Sequence, residues 1–193
     1  MANLYIIAGC NGAGKTTASN TILPEILNCM EFVNADNIAC GLSPFNPESV
    51  AFEAGRIMLG RIRELMAARI DFGFETTLAS RSYVALVKQA KQMDYKISLL
   101  YFWLSSPNLT VERVAKRVSN GGHHIPSDVI ERRYYRGIHN LYNLYMPVCD
   151  EWTIVNNIDL VPEVIAKSDS FGKTIFNREL WNTIIRQQNH GKT

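Results

Sequence analysis

No stretch of this 193-residue sequence stays apolar for the ~18 residues that a membrane-spanning helix needs. The N-terminus also lacks the basic region and small-residue cleavage site of a signal peptide, so the chain is expected in the cytoplasm and away from membranes. Cysteine is sparse. Cys10, Cys29, Cys40 and Cys149 form no C-x-x-C pair and have no histidine partner at metal-ligand spacing, which excludes a disulfide scaffold and a structural zinc site. They read as reduced thiols. Charge of one sign is also lacking: a formal net charge of +2 supplies no global field for nucleic acid or an anionic membrane, so any positive field must be local. Neither an internal repeat nor a linker long enough to divide domains is visible, and residues 1–193 are expected to form one domain.

What is present begins near the N-terminus. Leu4 to Ala8 is a short apolar run suited to a strand covered on both faces, and it leads into Gly9-Cys10-Asn11-Gly12-Ala13-Gly14-Lys15-Thr16. That segment fits G-x-x-x-x-G-K-[ST], the P-loop that wraps the phosphates of a nucleotide. Its glycines let consecutive backbone N–H groups point inward at one anion, and Lys15 adds a full charge. Thr16 offers a hydroxyl for Mg²⁺. From Lys15 a helix is expected, cut off near Pro24. The residues expected to touch ATP are therefore Gly9, Asn11, Gly12, Ala13, Gly14, Lys15, Thr16 and Thr17. Cys10 sits inside this loop and reads as a small residue tolerated in a turn; a thiolate favoured by the amide dipoles is the alternative.

Further along, short apolar strands alternate with amphipathic helices. Strands are expected at Glu31–Ala35, Ile70–Phe74, Ile97–Leu104 and Trp152–Val155, the third of these central. Asn46-Pro47 opens a long helix to about Arg69, Ser80 or Ser82 opens the next, and Ser106-Pro107 and Ser127 or Asp128 start two more. Strict alternation calls for a three-layer α/β/α P-loop NTPase fold with a five-stranded parallel sheet and right-handed crossovers. The tail from about residue 168 is more polar, yet Ile175, Phe176, Leu180, Trp181, Ile184 and Ile185 suit a terminal helix docked on the body or an oligomer contact.

In open parallel sheets ligands sit beyond the carboxyl ends of the strands, where several polar groups fall. Asp36 follows the second strand, either as the base that takes the acceptor proton or as the cap of the turn Asn37-Ile38-Ala39. Glu75, with Thr76 and Thr77, follows the third strand; it either holds a metal-bound water or acceptor hydroxyl, or pairs with a surface cation. No strand ends in the aspartate of a Walker B motif, which leaves Glu75 and Asp36 as candidates for the second Mg²⁺ anchor. Asn156-Asn157 follows the fifth strand and either lines a base pocket or turns the chain.

A local positive field lies between Arg113 and Arg136. Arg113 and Arg117 are four apart on one helix face, and Arg132 and Arg136 repeat the spacing after Gly121-Gly122. This reads as a helical lid over about 107–137 that brings guanidinium groups onto phosphates, or as a solvated face paired with Glu112, Asp128 and Glu131. His123 and His124 read as polar loop residues rather than metal ligands.

The ordered set Gly9 to Thr17, Asn34-Ala-Asp36-Asn-Ile-Ala, Ala54-Gly55-Arg56, Phe74-Glu75-Thr76-Thr77-Leu78 and Arg117-Val-Ser-Asn-Gly-Gly-His-His-Ile-Pro126 followed by Arg132-Arg133-Tyr134 resembles the zeta-toxin group of P-loop kinases. The resemblance covers about residues 3 to 157. It implies a small-kinase-like fold in which Lys15 and Thr16 serve ATP and Mg²⁺, Asp36 is the catalytic base, and Arg117 and Arg132 clamp phosphates. It further implies that Glu75 and Thr76 serve the acceptor; Arg56 is expected beside them, and Arg113 and Asn157 are expected on the nucleotide. The best-known members phosphorylate UDP-N-acetylglucosamine, so a nucleotide-sugar acceptor and an antitoxin partner follow as expectations. The sequence departs from those members in being shorter and in lacking their basic residue after Asp36, where Asn37-Ile38-Ala39-Cys40 stands. A nucleotide-driven switch and a polynucleotide kinase are the alternative functions, the second disfavoured by the small net charge.

Overall fold

Strand β1 (Asn3–Gly9) has four buried aliphatic side chains, Leu4, Ile6, Ile7 and Ala8, and that is possible only with neighbours on both edges and cover on both faces. In a computed structural model of the chain, which describes residues 1–119, 125–159 and 161–192, β1 has both. It pairs in parallel with β3 (Phe72–Thr76) on one side and with β4 (Lys96–Trp103) on the other. Strands β2 (Glu31–Val33) and β5 (Glu151–Asn156) extend this parallel core outward, in the order β2-β3-β1-β4-β5. The five parallel strands are those expected from the alternation of strand and helix, and β4 is the middle of the whole sheet.

The sheet does not stop there. Strands β6 (Glu163–Asp169) and β7 (Gly172–Ile175) add an antiparallel hairpin beyond β5, giving seven strands in a mixed sheet. Part of the segment read as a polar tail is thus strand, and Phe176 stays largely exposed. Helix α7 (Arg178–Gln187) follows as expected, capped by Asn177, whose side chain accepts from the Leu180 N–H. It docks on the sheet through Trp181, stacked on Trp152 at 6.0 Å and 7° between ring planes, while Gln187 accepts from the Trp103 indole at 3.0 Å.

The crossovers carry the remaining helices. Helix α1 (Lys15–Thr21) does not end at Pro24. It widens into a π-turn at Ile22–Ile26, an i to i+5 pattern closed by Leu27 N–H on Ile22 O, in which the proline is accommodated. Helix α2 (Ala35–Leu42) stands where only a turn was expected. A 3₁₀ turn over Pro47–Val50 precedes α3 (Ala51–Ala67), and Asn46 makes no side-chain cap bond there. Buried Met58, Ile62 and Leu65 of α3 lie at helical spacing, as the sequence requires. Helices α4 (Ser82–Gln92), α5 (Pro107–Ser119) and α6 (Ser127–Asn140) complete the set. Among the described residues, no helix is long and apolar enough to cross a membrane.

Candidate active site

The turn from β1 into α1 is shaped by steric need. Gly9 has φ +145°, and a Cβ there would lie 2.3 Å from the carbonyl oxygen of Phe102 on β4, a backbone atom that cannot give way. Gly9→Ala is therefore expected to destabilise the fold by about 3 kcal/mol, from strain and overlap together. Gly41→Ala, at a position with open space around it, serves as the control and should be neutral or slightly stabilising. Urea unfolding midpoints of the two variants measure the difference. Gly14 (φ +84°) gives α1 its left-handed start, and its missing Cβ leaves room for the Asn157 amide, which donates to Ala13 O at 2.7 Å. Asn157 thus braces the loop from beneath. In the same region the Arg113 guanidinium donates to Ile158 O at 2.6 Å, tying α5 to the segment after β5.

Lys15 is buried, with its ammonium donating to Cys10 O at 2.9 Å and standing 3.5 Å from Glu75 Oε1. Glu75 reaches it because β3 pairs directly with β1, Ile7 opposite Glu75. The other carboxylate oxygen of Glu75 accepts from Thr16 Oγ1 at 2.7 Å and from Asn34 Nδ2 at 2.8 Å. The hydroxyl of Thr16 and the carboxylate of Glu75 therefore meet at one point beside the loop. Two oxygen donors fit Mg²⁺, which takes few protein ligands and completes its shell with phosphate and water. No cluster of three or more His, Cys, Asp or Glu occurs among the described residues.

Asn34 had not been singled out in the sequence as a site residue. Its Oδ1 caps α2 by accepting from Asp36 N–H at 2.7 Å and Asn37 N–H at 3.3 Å, while its Nδ2 holds Glu75. One amide so ties the Glu75 carboxylate to the backbone of Asp36. The signal was the N-cap preference of Asn ahead of Ala35-Asp36, and the cap role belongs to Asn34 rather than to Asp36. Asp36 itself lies in the first turn of α2 with an exposed side chain free to face ligands.

A cavity of about 260 Å³ opens over the loop. Its walls bring together Asn11, Gly12, Gly14, Lys15, Thr16, Thr17, Asp36, Glu75, Arg113 and Arg117. The Nε and Nη2 of Arg117 are buried and have no hydrogen-bond partner, as has Oδ1 of Asn11. A desolvated guanidinium with unspent donors is costly unless an anion meets it. Other sequence candidates stand elsewhere. Arg132 is exposed on α6 and Arg56 exposed on α3, neither lining this cavity. Thr76 turns its hydroxyl to the Leu78 N–H at 3.0 Å. Gly9 and Ala13 are buried behind the loop. Burial pushes the Cys10 thiol up, against the thiolate alternative, and its sulfur lies 3.3 Å from Thr110 Oγ1. The hinge Gly121-Gly122 and the pair His123-His124 lie outside the described residues.

With this geometry in view, comparison with known proteins is informative. Residues 4–136 match a family model described as an AAA domain. The chain belongs to that family. An uncharacterised protein of Haemophilus influenzae is 30% identical over 128 residues, 65% of this chain and 88% of that one. Among solved structures, AvrRxo1-ORF1:-ORF2 with ATP superposes with a TM-score of 0.76 at 16% identity, over 97% of this chain. The present chain spans 64% of that chain's length. A chain of the PezAT chromosomal toxin-antitoxin system of Streptococcus pneumoniae gives 0.64 at 14% identity, covering 98% and 87% of the two chains. A gluconokinase from Sinorhizobium meliloti gives 0.52 at 15%, covering 98% and 94%. The protein thus has a P-loop kinase-like nucleotide-binding fold, and the resemblance read from its motifs holds at the level of fold.

Proposed function

We propose that the protein is an ATP- and Mg²⁺-dependent kinase that transfers the γ-phosphoryl group to a hydroxyl of a small-molecule acceptor. One observation carries the reading: Arg117, whose Nε and Nη2 are buried without a hydrogen-bond partner among the described residues, lines the same cavity as Lys15 and Asp36. Two cations lining one cavity supply the charge that a transferring phosphoryl group needs. A carboxylate on the same wall supplies the proton acceptor.

In this mechanism the loop amides and Lys15 hold the β- and γ-phosphates, and Thr16 with Glu75 would hold a magnesium ion, which would supply neutralising charge. Asp36 orients the acceptor hydroxyl. As the bond between the γ-phosphorus and the bridging oxygen breaks, the acceptor oxygen bonds to phosphorus and its proton passes to Asp36. ADP keeps the bonding pair. Arg117 stabilises the charge on the equatorial oxygens, and Arg113 with Asn157 stiffens the loop on the nucleotide side. A separate, largely apolar groove beside Gly14, Thr17, Val155 and Asn157 suits the base.

The acceptor implied by the family resemblance, UDP-N-acetylglucosamine, is the reference compound for the assay. The AvrRxo1 structure holds ORF1 together with ORF2, and PezAT is a toxin–antitoxin system, which supports a protein partner of antitoxin type for this chain as well. Incubation with γ-labelled ATP, Mg²⁺ and acceptors tests the proposal. Label in a phosphorylated alcohol is expected. Release of labelled phosphate alone, stimulated by a protein partner, would favour a nucleotide-driven switch instead.

A further inference from the structure

Asp36 lines two cavities, the one over the P-loop and a second of about 330 Å³ between α2, the 3₁₀ turn before α3, and the start of α6. On the kinase reading above, on which this inference rests, an acceptor hydroxyl at Asp36 leaves the body of the acceptor in that second cavity. Its volume lies at the small end for ligand sites. Ala39, Ala51, Ile125 and Val129 make much of its wall apolar, and Ile125 and Val129 are themselves packed against α5 and α6 through Val114 and Ile130. Among its described lining residues the one cation is Arg133, the neighbour of the arginine that sequence analysis favoured. Among the described residues Arg133 has no hydrogen bond or ion pair.

Charge then narrows the ligand. The guanidinium shares the cavity with two acids, Asp36 and Glu48. A pyrophosphate or a phosphate monoester would bring about two negative charges against a single cation, with Lys15 and Arg117 already committed to ATP. A carboxylate brings one charge in the planar geometry that a guanidinium matches with paired hydrogen bonds. We infer that the acceptor is a compact hydroxy acid, its carboxylate on Arg133, its carbon body against the apolar wall, and its reacting hydroxyl at Asp36.

The test uses the full chain with γ-labelled ATP, Mg²⁺ and a small-molecule cell extract spiked with D-gluconate, D-glycerate, shikimate, glucose 6-phosphate, N-acetylglucosamine and UDP-N-acetylglucosamine. Labelled products are identified by mass. A phosphorylated hydroxy acid as the main product supports the inference. A nucleotide sugar, a sugar phosphate or a neutral sugar as the main product overturns it and leaves the kinase reading intact. Labelled inorganic phosphate alone overturns both. With the acid so found, Arg133→Gln should raise its KM by about 10- to 100-fold while kcat and the KM for ATP stay within about threefold, and Arg133→Lys should restore part of the loss. An unchanged acceptor KM in Arg133→Gln, with ATP turnover intact, contradicts the assignment of Arg133.

Discussion

Asp36→Asn is expected to bind ATP as tightly as the parent protein and to transfer its phosphoryl group about 10³-fold more slowly, the middle of the range for loss of a general base. The substitution keeps shape and hydrogen-bonding capacity but removes the proton acceptor. Its cost to the fold should be small, because the Asp36 side chain is exposed and the local anchor is its backbone N–H on Asn34, which asparagine retains. Separate measurements of ATP affinity by calorimetry and of label transfer therefore distinguish loss of chemistry from loss of structure. Transfer at the parental rate would remove Asp36 from the mechanism.

Lys15→Ala should fail earlier, at binding. Its ammonium is the buried charge at the centre of the loop, held between Cys10 O and Glu75 while it awaits phosphate. Losing it takes away a desolvated cation facing the triphosphate, for which a drop of at least about 10³-fold in kcat/KM is expected. ATP affinity should fall with it, unlike the Asp36 variant. Some stability is lost as well, since Glu75 stays in a partly buried site, but Thr16 and Asn34 still donate to its carboxylate. A thermal shift without nucleotide separates that effect from the binding loss. The contrast between the two variants, one holding ATP without passing it on and the other not holding it, is the signature of the proposed division of labour.

The parts of the site that were legible in the sequence are those in which one short segment supplies both the backbone path and the chemistry. The P-loop is such a segment, and the alternation of apolar strands with amphipathic helices located Asp36 and Glu75 at strand ends. Arg117 was named among four arginines of one stretch, but only packing distinguishes its partly buried guanidinium, which lines the cavity, from the exposed Arg132. Arg133 was passed over because a single residue step along α6 rotates the side chain by about 100° and decides which cavity it meets.

Asn34 was missed for a different reason: its second hydrogen bond, to Glu75, joins residues 41 apart. The hairpin β6-β7 was hidden by its own irregularity. The register slips between Ile154 and Val155, so that Ile165 and Ala166 are buried in succession, and the two-residue alternation that marks a strand is broken there. Strand β7 is short and exposed along most of its length, which leaves a polar segment with no periodic signal. Helix α2 was read as a turn because Asn37 and Gly41 have weak helical propensity, and it is the Asn34 cap that starts it.

A crystal structure with Mg²⁺ and a non-hydrolysable ATP analogue tests the central claim most directly. The account predicts the γ-phosphate on Lys15 and Arg117, the metal on Thr16 and Glu75, and the Asp36 carboxylate placed for one alcohol oxygen to lie both about 2.6–3.2 Å from it and about 3–3.5 Å from the γ-phosphorus. An Asp36 carboxylate turned to bulk water, too far for any single oxygen to touch both, would contradict it.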